Sequence, residues 1–338
     1  MTPSATTGQV QQAIPSPDEW RRVVAPYEGA DDARAWRAFA TSLPPFIVTW
    51  YLMYRALGVS YWLTVALSFV AGGFVVRTFI VQHDCGHGSF FRSSRLNVAT
   101  GRICSLVTLL PYGYFRRYHA AHHATAGKLH DRGVDVETLT VREYLALSPA
   151  RKLRYRFLRH PLVLFGIVPL FYFVIGMRMP VFAHSQTPRE RRSIYLTDIG
   201  LVLAIAVVGS LVGFRNFLLV QLPVTLIAST AGMWLFYVQH QFEDTYWADG
   251  DDWDFSRAAL EGSSYYALPS VLQWFTGYIG LHHVHHLSVK VPSYRLVDCH
   301  EGNAVLARVP KLTFRDALGT MHLKLWDEDA RRLTGWPS

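Results

Sequence analysis

Three short runs of histidine hold the residues of this chain best suited to chemistry. They are His83-Asp84-Cys85-Gly86-His87, His119-Ala120-Ala121-His122-His123 and His282-His283-Val284-His285-His286. Their spacings are HxxxH, HxxHH and HxxHH. Residues three and four apart share one face of a helix, so each run is expected to aim two or three imidazoles at one point. Eight imidazole nitrogens exceed what one tetrahedral zinc takes and suit two metal ions. Ligand type alone leaves Zn, Cu, Fe and Ni open. HxxxH also has the spacing of the zincin HExxH. Here Asp84 stands where that motif needs Glu as general base, and two further clusters speak against a zinc hydrolase. In the third run His282, His285 and His286 fit HxxHH, while His283 falls on another side of the helix and is left out. Cys85 points away from the His83/His87 face. Asp84, Asp135, Asp198, Glu243 and Asp244 are candidates to orient ligand imidazoles through their second ring nitrogen. His130, His160, His184, His300 and His322 are isolated and read as surface or interface residues.

The chain must bring three distant segments together, and its composition says in what solvent. Half of the 338 residues are apolar and only 17% are charged, below the ~25% of ordinary soluble domains. This is the composition of a membrane protein. The net charge of +8 comes without a basic helix or an aromatic-basic motif, so nucleic acid is not an expected partner. Three cysteines make no disulfide framework. Residues 1–35 are polar, lack the apolar core of a signal peptide, and read as a flexible N-terminal segment.

Apolar blocks at Ala38–Leu57 and Tyr61–Gln82 each approach the ~20 residues that cross a bilayer and are expected to form a helical hairpin. The first histidine run sits at its exit. Ile103–Pro111 is too short to span and reads as an interfacial helix that keeps the second run on the same face. Arg151, Lys152, Arg154, Arg156 and Arg159 mark that face as cytoplasmic by the positive-inside rule. Of the next three blocks, Leu162–Met177, Ile199–Phe214 and Asn216–Gln239, one must not span, or the third run would emerge on the wrong side. Leu162–Met177 is the choice: it is short, broken by Pro169 and bounded by Pro161 and Pro180. The other two form a second hairpin that returns at His240, beside the expected site, and makes His240 a candidate ligand. Tyr265–Leu281 reads as another interfacial helix. Residues 287–338 form a soluble tail. The fold class expected is an all-α integral membrane protein with four transmembrane helices in two hairpins, interfacial helices and a cytoplasmic metal-binding cap.

The runs HDCGH, HAAHH and HHVHH, in this order along two hairpins, resemble the histidine boxes of the membrane fatty acid desaturases. Gly88-Ser89-Phe90-Phe91, Leu139-Thr140-Val141-Arg142-Glu143-Tyr144, Val238-Gln239-His240-Gln241-Phe242-Glu243-Asp244 and Pro292-Ser293-Tyr294-Arg295-Leu296 resemble the acyl-lipid subgroup, its bacterial members above all. The likeness runs from about residue 35 to 310. It implies a membrane-embedded desaturase domain over 36–310, between the 1–35 segment and a 311–338 tail, in a bacterial inner membrane with both termini cytoplasmic. It implies two Fe2+ ions held by His83, His87, His119, His122, His123, His282, His285 and His286, with His240 as the further family ligand. The acyl-CoA branch of the family has an Asn one turn before that histidine, whereas this chain has Phe236. No cytochrome b5-like segment is visible, so a separate carrier, ferredoxin or a flavoprotein- or cytochrome b5-linked donor, is implied. The reaction implied is O2-dependent formation of a cis double bond in the acyl chain of a membrane lipid. The same boxes serve hydroxylases, ketolases and epoxidases of fatty acyl or carotenoid substrates, which are the nearest alternative. A metal transporter would instead place its ligands near the bilayer midplane. Trp234, Phe236, Tyr237, Trp274 and Phe275 are candidates to line an acyl tunnel, and Arg116 and Arg117 to meet lipid phosphate or the donor.

Overall fold

The computed structural model describes residues 17–132, 135–179 and 187–337. Pro180 and His184, and the first half of the N-terminal segment, lie outside these residues. The helices run α1 Pro17–Val24, α2 Asp32–Ala40, α3 Leu43–Ala56, α4 Tyr61–His87, α5 Ser94–Thr108, α6 Tyr112–Thr125, α7 Val141–Ala146, α8 Pro149–Leu158 and α9 Val168–Val174. They continue with α10 Pro188–Val212, α11 Phe214–His240, α12 Phe255–Leu260, α13 Ser270–Phe275, α14 His282–Leu287, α15 Leu296–Glu301 and α16 Phe314–Thr320.

Three of these, α4, α10 and α11, are long and apolar enough to cross a membrane, and a fourth qualifies if α8 and Val163–Arg178, bent by 59°, count as one span. Their outer faces carry the pattern that lipid demands. Ile199, Leu203, Val207 and Leu211 on α10, and Leu218, Leu222 and Leu226 on α11, recur every fourth residue and are exposed, a stripe that water would not tolerate at this extent. The Ala38–Leu57 block does not make one helix. Asp31 caps α2, which ends at Ala40, and α3 restarts at Leu43 with proline in its first turn. Pro44 and Pro45 lack the N–H groups a continuous helix would use there. The 14 residues of α3 reach about 21 Å. They pack along α4, where Met53, Ala71 and Val75 are buried together with Val220 and Val224 of α11.

Leu162–Met177 is a π-turn over Val163–Ile167 followed by α9 and a 3-10 turn at Gly176–Arg178. Thr230 of α11 donates to the Phe165 carbonyl at 2.7 Å, supporting backbone that the irregular turn leaves open. The interfacial helix expected over Tyr265–Leu281 is largely absent. The stretch is a strand, β1 Tyr265–Ala267, then the six-residue α13, then turns with positive φ at Gly277 and Tyr278. Pro269 is the N-cap of α13, which ends at Phe275 with Thr276 as its C-cap, just before Gly277 in the left-handed region. Gly280 lets the backbone pass the Tyr266 carbonyl, which accepts from Gln273.

The purely α expectation also misses two small β pairs. β1 runs parallel to β2 Lys311–Thr313, and β3 Leu325–Asp327 runs antiparallel to β4 Arg332–Thr334. Through them the last residues close over the cap: Trp326 is buried and its N–H bonds the Leu139 carbonyl at 3.0 Å. At the other terminus Trp20 and Val24 of α1 pack with Val284 and Leu287 of α14 and with Leu296. The N-terminal α1 therefore braces the helix that carries the third histidine run, while the C-terminal strands brace α7 and α8.

Candidate metal centre

Nine histidines converge in two groups. His83, His87, His119, His123 and His285 form one, and His122, His240, His282 and His286 the other, with ligand nitrogens in each within 4.8 Å of one another. The runs do not each serve one point, as expected from their spacing. His119 and His123, four apart on α6, join the first group, while His122 joins the second. His282 and His286, four apart on α14, join the second, while His285 joins the first. Helix geometry explains the division: at 3.6 residues per turn, positions i and i+4 lie about 40° apart around the axis and i+3 lies on the other side of i. An HxxHH segment lying between two sites therefore feeds both. α4 ends on His87 with Gly88 in the left-handed region as its C-cap, so His83 and His87 stay one turn apart and both face the first group.

The donor set fits metal ions. Nε2 of His123 stands 3.0 Å from Nε2 of His119 and 2.9 Å from that of His285. Nε2 of His282 stands 3.0 Å from that of His240 and 3.1 Å from that of His286. Two nitrogens at right angles on one ion, each about 2.1 Å from it, stand about 3.0 Å apart. Nε2 of His87 and of His122 are buried without any hydrogen-bond partner, a cost that a ligand at the centre of each group would remove. Burial, followed by the mutual repulsion of neighbouring rings, holds His119, His123, His282, His285 and His286 well below the usual imidazole range. They are neutral, which is the form that binds a metal.

Each group has a carboxylate behind it. His83 Nδ1 donates to Asp84 at 2.9 Å, and the other Asp84 oxygen accepts from the Ser293 N–H at 2.6 Å. His122 Nδ1 donates to Asp135 at 2.5 Å. Burial works to raise the Asp135 carboxyl, but His122 beside it wins and the net direction is down. His240 Nδ1 donates to the Gly262 carbonyl at 3.1 Å. These bonds fix which ring nitrogen faces inward.

A cavity of about 360 Å³ opens on both groups. His83 and His119 of the first and His122 and His282 of the second line it, and it continues between α4, α9 and α11 past Val75, Val76, Leu164, Val168 and Val224. Phe115 stacks on His119 with ring centroids 5.2 Å apart, and Phe236 lies 5.1 Å from His122. An apolar hollow ending on polar groups is what an acyl chain needs.

A family model for fatty acid desaturases matches residues 60–315. The chain belongs to the fatty acid desaturase family. It is an oxidoreductase that desaturates fatty acyl chains. It is 44% identical over 293 residues to a fatty acid desaturase of Bacillus subtilis (strain 168), covering 86% of this chain and 83% of that one. It is 24% identical to the sn-1 oleoyl-lipid 12-desaturase of Synechocystis, over 79% of this chain and 75% of the relative. It is 26% identical to the sn-1 acyl-lipid omega-3 desaturase (ferredoxin) of Nostoc, over 66% and 62%.

His283 turns away from both groups, on the side of the helix its spacing gave it, and meets His300 at 3.1 Å. Other residues of this desaturase fall differently from their sequence reading. Of the aromatics expected in the tunnel, only Phe236 lines the cavity. Trp234 bonds the Tyr266 hydroxyl, Tyr237 bonds the Thr320 and Leu323 carbonyls, and Trp274 and Phe275 pack on Phe74. Asp198 approaches Arg178 and Glu243 pairs with Arg332, while Asp244 is exposed. Arg117 pairs with Glu190 at the start of α10. Sequence reasoning missed Arg159. Counted among loop cations, it is 2% exposed and lines the cavity. Its only signal was its place one residue past α8, two positions before Pro161.

Proposed function

We propose that the five-histidine and four-histidine groups each hold one iron ion, and that the substrate is an acyl chain esterified to a membrane lipid. The observation that carries this reading is an apolar cavity shared by both groups, which open onto it. The ligands are His83, His87, His119, His123 and His285 for one ion, and His122, His240, His282 and His286 for the other. Bound there in the ferrous state, iron would supply the reductive activation of O2 needed to attack an unactivated CH2. In the net reaction two hydrogens leave adjacent carbons. O2 takes two electrons from the acyl chain and two from a donor, and with two protons becomes two molecules of water.

The chain's own residues handle geometry and access. Asp84 and Asp135 hold the tautomers of His83 and His122. Phe115, Phe236 and Phe79 fill the space around the imidazoles, so that a CH2–CH2 pair is fixed beside them rather than free to slide. The apolar wall from Val75 to Val224 leaves water no partner along the acyl path. Phe236 stands one helical turn before His240, where it offers no ligand atom, so imidazoles are the donors this group of four would give an ion.

In this reading α10 and α11 form a spanning hairpin and α4 spans beside the shorter α3, within an embedded unit of residues 36–310. By the positive-inside rule the exposed Arg151, Arg154 and Arg156 support a cytoplasmic histidine face, as in a bacterial inner membrane. The electron donor is a soluble carrier, and the ferredoxin in the Nostoc relative's name makes ferredoxin the first to try. Aerobic expression in a host with simple lipids, with double bonds located by mass spectrometry beside a His122→Ala control, tests the reading. New monounsaturated lipid chains that vanish in the control are expected. An unchanged profile with a competent donor, or purified protein holding one zinc and no iron, would refute it.

A further inference from the structure

At the cap end of the acyl cavity stands a buried cation that the mechanism above does not use. Arg159 is 2% exposed and lines the cavity beside Val136, Glu137, Tyr155 and Leu158. Its acceptors are all neutral. Nη1 donates to the Glu137 carbonyl at 3.3 Å and to Thr138 Oγ1 at 3.2 Å, and Nη2 to the Leu323 carbonyl at 3.1 Å and to Gln241 Oε1 at 3.5 Å. Glu137 gives its backbone oxygen to this bond, not its carboxylate. The Nε–H is buried with no partner. A second cation adds to the charge: Lys324 is 7% exposed and its ammonium donates to the Arg159 carbonyl at 2.9 Å. Burial, with Arg159 next to it, lowers Lys324 to about 8.

A buried guanidinium is normally paired with a carboxylate, because an uncompensated charge in low dielectric is costly. Of its five N–H donors, four meet only neutral dipoles and one meets nothing, and the face of the Tyr237 ring, 5.5 Å from the guanidinium carbon, is its one further neutral partner among the described residues. The place is also telling. Asp135, which holds His122, and Thr138, which holds Arg159, are three residues apart, so their Cα atoms lie no more than about 11 Å from each other. An anion on Arg159 would sit a short stretch of acyl chain away from the histidines. Cations that serve only solubility or membrane orientation are exposed, as Arg151, Arg154 and Arg156 of the same helix are.

We propose that Arg159, backed by Lys324, recognises the anionic group at the polar end of the acyl substrate, a phosphodiester or a carboxylate, and so sets where along the chain the metals act. This inference rests on the desaturase reading. The unpartnered Nε–H can donate a charge-assisted bond to either oxyanion, and the two sources are separated by experiment.

Purified iron-loaded enzyme in neutral detergent, with ferredoxin and its reductase, is given one saturated acyl chain in three forms: phosphatidylglycerol, the free fatty acid and neutral diacylglycerol. The wild type is expected to favour one of the anionic forms over diacylglycerol at least tenfold in kcat/KM. Preference for phosphatidylglycerol assigns the phosphodiester, and preference for the fatty acid assigns the carboxylate. Arg159→Gln is expected to reduce that ratio at least tenfold and to scatter the double-bond position, whereas Arg159→Lys retains part of the ratio. Equal use of all three forms by the wild type overturns the proposal, and this needs no variant to fold. Loss of activity in Arg159→Gln with the ratio and double-bond position unchanged also overturns it, leaving Arg159 a clamp between α8 and residues 137–138, 241 and 323. Failure of the desaturase reading looks different: no double bond forms in any of the three.

Discussion

Asp135→Asn should empty one metal position and spare the other. The substitution keeps size and shape, and the amide oxygen can still accept from His122 Nδ1. What it removes is the negative charge behind a 2.5 Å bond whose histidine is 1% exposed. Carboxylates that orient ligand histidines are worth about 10–100-fold in metal affinity, or about 1.4–2.7 kcal/mol. A short bond to a buried imidazole belongs toward the upper part of that range, since a hydrogen bond to a charged group is worth about 1.5–3 kcal/mol. His122 belongs to the four-histidine group alone. Equilibrium dialysis against graded Fe2+ buffers, read by mass spectrometry of bound iron, should give two irons per chain for the wild type. For Asp135→Asn it should give a plateau near one, with the second binding only at about 10–100-fold higher free iron. Asp84→Asn should shift the other position instead, because Asp84 stands behind His83. If both irons of Asp135→Asn titrate as in the wild type, the carboxylate does not position His122 and the assignment of the four-histidine site fails.

His283→Asn is expected to leave iron stoichiometry unchanged while His282→Asn loses iron, because His283 faces His300; metal analysis of both variants decides. Gly101→Ala should lower Tm and destabilise by about 1–3 kcal/mol. A Cβ there meets the Tyr112 ring, whose hydroxyl donates to the Cys85 carbonyl at 2.7 Å between His83 and His87. Burial pushes the Cys299 thiol up to about 12 from 9.0, so about one in ten thousand is thiolate at pH 8 and maleimide labelling should await unfolding. A folded value above the unfolded one means that this thiol contributes stability below pH 9 and loses it as pH rises through 9 toward 12. A Cys299→Ser variant should flatten that part of a Tm-versus-pH profile.

The histidines that gather in two groups and the membrane setting were legible because both depend on local pattern. Spacing put His83 with His87, and block length marked α4, α10 and α11. His240 emerged from counting crossings, since its helix had to end where the third run begins. Other features depend on contacts between distant residues, which no local pattern records. The division of each HxxHH between two sites requires knowing that α6 and α14 lie between them. Tyr265–Leu281 is apolar enough for an interfacial helix, but pairing of Tyr265–Ala267 with Lys311–Thr313 overrides that tendency. Arg159 looked like its neighbours in a basic cluster until the fold turned one member inward. The break at Thr41–Ser42 was signalled by Pro44 and Pro45, which a count of apolar residues passes over.

The sharing of α6 and α14 between the two histidine groups ties the geometry of one group to that of the other. The same coupling restrains sequence drift. A substitution that shifts α14 to favour one ion disturbs the other at once, and adjustments are tolerated only in the acids and carbonyls behind the rings, where Asp84, Asp135 and Gly262 each act on a single histidine.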